Sequence, residues 1–77
     1  MTAHTAAADR ILAEVLDADE QQQIVAREID PATGSQIVFL AIDLGVEIRI
    51  INLDGSSFYV IIDADQFDNI HNATDNL

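Results

Sequence analysis

The chain is expected to fold as a small α+β domain. Its elements run α-β-β-β-β-α, with a four-stranded antiparallel sheet flanked by two short helices. Three observations predict this. Residues 35–63, SQIVFLAIDLGVEIRIINLDGSSFYVIID, place Ile, Val, Leu, Phe or Tyr at almost every second position, the period of a strand. Turn signals at DPATG, LG and DGS cut that stretch and its approach into short runs, and short connections favour an antiparallel meander. Apolar residues return to helical spacing at both ends of the chain.

The first helix is expected over about 6–17, AAADRILAEVLD, a run rich in helix formers with Thr5 as its N-cap. Ile11, Leu12, Val15 and Leu16 share one face; Asp9, Arg10, Glu14 and Asp17 lie mostly on the other. DADEQQQ at 17–23 reads as a polar connector. The next segment, IVAREID, reads two ways. Asp17 and Glu20 have capping-box spacing, which favours a helix beyond them. Val25, Arg27 and Ile29 alternate, and Pro31 and Gly34 supply a hairpin turn, which favours a strand over about 23–30. The strand is the reading adopted.

Residues 36–43 (QIVFLAID) are apolar on both faces, with Val38, Leu40 and Ile42 on one and Ile37, Phe39 and Ala41 on the other. Such a strand is expected to be covered on both sides. Residues 46–53 (VEIRIINL) carry Val46, Ile48 and Ile50 on one face. Glu47, Arg49, Ile51 and Leu53 take the other, which is expected to be half-solvated. FYVII at 58–62 is again apolar on both faces. Asp63 or Asp65 can cap a last helix over about 65–72, whose Phe67 and Ile70 would face the sheet. Residues 1–4 and 73–77 are expected to be flexible. The sheet then has about one and a half covers for its two faces, so part of the second face calls for a partner or a second copy.

At 77 residues the chain is expected to form a single domain, 1–77. A chain this short buries only about 60% of the surface it exposes when unfolded, so its core is marginal. With no Cys, neither a disulfide nor a Cys-based zinc site can reinforce it. No stretch of 18 apolar residues predicts a membrane span, and the first residues lack a basic-then-apolar leader pattern. A cytoplasmic setting is the expectation.

Charge is the outlier. Fourteen acids face three Arg and no Lys, for a net charge of -11 and a pI near 4.1. Direct binding to nucleic acid or to an anionic membrane is excluded as an expectation, and a basic protein surface is the natural complement. Asp9, Glu14, Asp17, Asp19 and Glu20 are expected to form one acidic flank, and Asp54, Asp63, Asp65, Asp68 and Asp75 another. Side chains two apart on a strand or three to four apart on a helix lie about 5–7 Å from each other, comparable to backbone phosphates. That spacing suits nucleic-acid mimicry. The competing account is charge that serves solubility or high-salt adaptation in a small homo-oligomer.

Chemistry-bearing patterns are sparse. His4 and His71 fall in terminal segments and Ser35, Ser56 and Ser57 in turns, so no nucleophile–base pair is indicated. Asp43 and Asp63 end apolar strands and are the best acid–base candidates, though Asp is common in such places. Asp63, Asp65 and Asp68 lack the glycine and distal Glu of a calcium loop. The isolated glycines make no phosphate cradle. Asn72–Thr74 matches a glycosylation pattern without a secretory context. The expectation is a non-enzymatic, cofactor-free and metal-free protein-binding module, a small inhibitor of a nucleic-acid-binding protein. In size and charge the chain resembles small phage-borne anti-restriction and anti-CRISPR proteins, a resemblance of composition that no motif carries.

Overall fold

A computed structural model describes residues 3–76. The fold is α+β. Helix α1 spans Ala3–Val15 and α2 Ala18–Gln22; strands β1 Ile24–Ile29, β2 Gln36–Ile42, β3 Gly45–Ile51 and β4 Ser57–Ile62 follow, and α3 Ala64–Asp75 closes the chain. The strands form one antiparallel sheet in the order β1-β2-β3-β4, with β1 and β4 at its edges.

Local chemistry accounts for the joints. Asp17 caps α2 through the Glu20 amide while the Glu20 carboxylate accepts from the Asp17 amide, so each end of this short helix start is satisfied by the other. The same exchange between Asp63 and Gln66 starts α3 directly after β4. In the β1–β2 turn the Asp30 carboxylate accepts from the Ala32 amide and the Thr33 hydroxyl, and Gly34, at φ 79°, donates its amide to the Asp30 carbonyl at 2.7 Å.

Register assigns the faces. Val38 stands opposite Arg27 and Arg49, and Leu40 opposite Glu47, so these side chains share one face with Gln36 and Ile51. On it lie Leu12 and Leu16, forming the core with Val38, Leu40 and Ile51. Gln36, the one buried polar side chain among the described residues, donates to the Ala8 carbonyl of α1 at 2.9 Å and accepts from Arg27 Nε at 2.7 Å. The other face carries Ile37, Phe39, Val46, Ile48, Ile50, Phe58, Val60 and Ile62. There α3 lays Phe67 edge-on against Phe39, with ring centroids 6.3 Å apart.

Several boundaries differ from expectation. Helix α1 begins at Ala3, so Thr5 sits in its first turn rather than before it; Met1, Thr2 and Leu77 of the segments expected to be flexible lie outside the described residues. The polar connector contains α2, because the capping box acts on 18–22 before the strand begins. The strand adopted for IVAREID is present as Ile24–Ile29, and the helix reading of that segment fails because the helix started by the capping box ends at Gln22. Helix α3 runs to Asp75, three residues past its expected end, with Asn76 as C-cap.

The largest correction concerns β3. Its Glu47–Arg49–Ile51 face, expected to be half-solvated, is the helix-covered one. Arg49 meets Glu47 beside it and Glu20 of α2 at 3.0 Å, so each of these charges has an opposite partner beneath the helices. The all-apolar face is the barer of the two, with Ile50 exposed.

Candidate interaction surface

Strand β4 is unlike the rest of the sheet. Phe58 and Tyr59 are each 67% exposed, Val60 54% and Ile61 45%. Alternating residues of a strand face opposite ways, so Phe58 and Val60 lie bare on the α3 face while Tyr59 and Ile61 lie bare on the α1 face. FYVII, apolar on both faces, is thus bare on both from Phe58 to Ile61. The helices stop short of this edge: α1 packs over β1 and β2, through Gln36 and an Asp9–Arg27 ion pair of 2.8 Å, and α3 reaches Phe39 in the interior of the sheet. The Arg27 amine meets Asp9 off-axis, as an ion pair without an aligned hydrogen bond.

The backbone of β4 is equally open. The Asn52 amide donates to the Ser56 carbonyl at 2.9 Å, which makes 52 and 56 a hydrogen-bonded pair. Hydrogen-bonded and non-bonded pairs alternate along an antiparallel ladder, so Phe58, Val60 and Ile62 bond to β3. The amides and carbonyls of Ser57, Tyr59 and Ile61 point away from the sheet. Six consecutive residues here carry no charge, no proline and no bulge.

The opposite edge is blunted. Between Ile24 and Ala26 the β1–β2 register slips, leaving Val25 as an extra residue, and Arg27 and Glu28 add charge. Bulges and charges are the usual means of keeping an edge from pairing with another chain, and β4 has neither.

The acids are dispersed. Asp9 and Glu14 on α1 and Asp17, Asp19 and Glu20 on or next to α2 gather along consecutive helices on the α1 side. Asp65 and Asp68 lie on α3, with Asp63 as its cap, on the far side of the sheet. Asp54 sits in the β3–β4 turn, about 20 Å of strand away from Asp63, so the second expected flank is divided between the two ends of β4. Many of these carboxylates have local work. Asp17, Glu20 and Asp63 cap helices, Asp9 pairs with Arg27, and Glu20 with Arg49. Hydrogen bonds from the Ser56 hydroxyl and amide hold the Asp54 carboxyl below the usual carboxylate range. Glu14, Asp19, Asp65 and Asp68 are exposed and show no cationic partner among the described residues.

Asp43 lies exposed in the β2–β3 turn, while the Asp63 carboxylate accepts from the Gln66 amide of α3. No group of three or more His, Asp or Glu side chains is arranged to hold a metal ion among the described residues. No described helix is long and apolar enough to cross a membrane.

Sequence reasoning named the acids and passed over Phe58, Tyr59, Val60 and Ile61. The available signal was topological. The last strand of a meander is an edge, and an edge strand apolar on both faces is an anomaly. No protein-family model matches the chain, and no significant similarity links it to a curated protein or a solved structure.

Proposed function

We propose that this chain is a non-enzymatic protein-association module, a small acidic domain that joins another protein surface through the edge and face its helices leave bare. The observation that carries the reading is β4, uncharged over six residues, with its four central side chains 45–67% exposed. Contiguous apolar surface of this kind on a soluble chain marks an interaction site. The charge then sets what the partner is not. At -11 the domain repels nucleic acid and anionic lipid, and the charge opposes indiscriminate aggregation through a sticky strand. A cytoplasmic setting belongs to the same proposal and rests on a fold that needs no disulfide.

The form we favour is a small acidic assembly unit built from copies of itself. Support comes from the placement of the acids on both sides of the sheet and around β4 rather than on one continuous face. A second reading has its own support in Glu14, Asp19, Asp65 and Asp68, exposed and without cationic partners among the described residues, in a chain with no Lys. Here the domain is an inhibitor of anti-restriction or anti-CRISPR type. Its carboxylates stand in for phosphates and block a basic nucleic-acid-binding protein, with the apolar edge supplying affinity.

Salt separates the two. Association with a basic partner weakens steeply as salt rises, whereas association between like-charged copies strengthens. Sedimentation of the purified chain, and of the chain mixed with DNA-binding nucleases, at about 0.1 M and about 1 M salt measures both. Self-association that grows with salt supports the assembly unit. A complex with a nuclease that salt dissolves and DNA displaces supports the inhibitor. A chain monomeric throughout that binds no such protein overturns the proposal.

A further inference from the structure

We infer that β4 pairs antiparallel with β4 of a second copy about a two-fold axis at Tyr59, joining two four-stranded sheets into one of eight. This rests on the association reading above and specifies its geometry and its partner.

The outward backbone groups of Ser57, Tyr59 and Ile61 fix the register. An antiparallel match that uses all three sets Tyr59 opposite Tyr59 of the second copy, and Ser57 opposite its Ile61, and gives about six backbone hydrogen bonds, two for each pair. Shifting the register by two residues leaves one of the three pairs unmade. The strand is thus complementary to itself in a single best alignment, which is what an isologous interface requires. On the α3 face the same register places Phe58 of each copy opposite Val60 of the other. On the α1 face the two Tyr59 rings meet at the axis. Every exposed apolar side chain of β4 then gains a cross-strand neighbour.

The alternatives fit less well. A basic partner would be drawn to the acidic helices and turns, yet the six residues of β4 carry no charge for it to meet. A face-to-face pairing through Phe58, Val60 and Ile50 would leave Tyr59 and Ile61 bare and the outward backbone groups unused. The area is adequate for a copy of the chain: with Phe58 and Tyr59 two-thirds exposed, the four side chains offer on the order of 400 Å² per protomer. Doubled, and with the backbone edge added, this approaches the roughly 1,000 Å² that a specific but weak interface needs.

The charge leaves a signature at the ends. Continued past the strand, the register brings Gly55 opposite Asp63 of the second copy, so Asp54 of each protomer approaches Asp63 of the other. This repulsion at both ends makes the pairing stronger in high salt.

Single cysteines test the register, since the chain has no native Cys. Residues directly opposite in an antiparallel pair have Cα atoms about 5.5 Å apart, within disulfide range. Tyr59→Cys is expected to form a covalent dimer on mild oxidation. Ser57→Cys alone is expected not to, while a mixture of Ser57→Cys and Ile61→Cys chains does. Ile61→Lys, which puts a charge on the edge at an exposed site, is expected to weaken dimerisation about tenfold or more in sedimentation, with circular dichroism unchanged. A native dimer that crosslinks through Phe58→Cys or Ile50→Cys instead, and ignores Ile61→Lys, overturns edge pairing while the association reading stands. A salt-dissociable complex with a basic protein, without self-association, overturns it in favour of the inhibitor. A chain monomeric at all salts that captures nothing overturns both.

Discussion

The Arg49 guanidinium lies 3.0 Å from the Glu20 carboxylate, tying the middle of the sheet to α2 across 29 residues of chain. The same guanidinium donates from Nε to Glu47 at 2.8 Å. Burial pushes the Arg49 pKa down, but the hydrogen bonds to Glu47 and Glu20 outweigh it and leave the group more firmly protonated than usual. Arg49→Met strips the cation from Glu47, whose side chain is only 14% exposed, and should destabilise the fold by about 3 kcal/mol. Adding Glu47→Gln should recover most of the loss. Urea midpoints of the two variants check both statements.

Gln36 joins three elements through one side chain: β2, which carries it, α1 through the Ala8 carbonyl, and β1 through Arg27. Gln36→Leu keeps the volume and removes both bonds, leaving Arg27 Nε without its acceptor at the α1–sheet boundary. A loss of about 1–3 kcal/mol is expected. Amide exchange should show α1 opening before the sheet.

Two glycines should respond differently to alanine. At Gly45, φ 145°, an added Cβ would overlap the Ile62 carbonyl oxygen and come within 2.9 Å of Asp63 Cα, so the obstruction is backbone. At Gly34 the obstruction is the Leu53 side chain, with Cγ at 2.8 Å, which can turn aside. Gly45→Ala should cost about 3 kcal/mol or more and Gly34→Ala about 1–2, compared by urea unfolding.

Acid should act through two turns. The Asp30 carboxyl is held below its ordinary 3.8 by the Ala32 amide and then the Thr33 hydroxyl, and Asp54 by the Ser56 hydroxyl and then its amide. Each remains ionised in the folded chain at a pH where the unfolded chain has begun to take up the proton. Their contribution is present above pH 3.8 and is lost as pH falls through the lowered folded values. Melting temperatures from pH 7 downward should fall below that point, and the Asp30→Asn, Asp54→Asn double variant should lose less over the same interval.

The element order, the four strands and the turns were legible because each depends on local signals: alternation in QIVFLAI, Pro31 and Gly34 in their turn, Asp63 before α3. The faces of β3 were not. Glu47 and Arg49 read as a solvated face because a charge in a strand ordinarily seeks water, and nothing local announces that α2 will cover them and bring Glu20, 29 residues away, as a second partner for Arg49. The acids were legible as a set but not as a surface. Asp17, Asp54 and Asp63 spend their carboxylates on amides next to them, and the sheet separates α1 from α3. The bare strand was within reach of sequence reasoning, since a meander must end on an edge, but composition drew attention to charge instead.

The bulge at Val25 has one more consequence. A sheet with two receptive edges can grow without limit into a filament, whereas a sheet receptive at β4 and closed at β1 has nothing left to offer once β4 is occupied. The edge pairing proposed above would therefore be self-terminating. The dimer it forms would be bivalent, with every solvent-facing group presented twice about one axis.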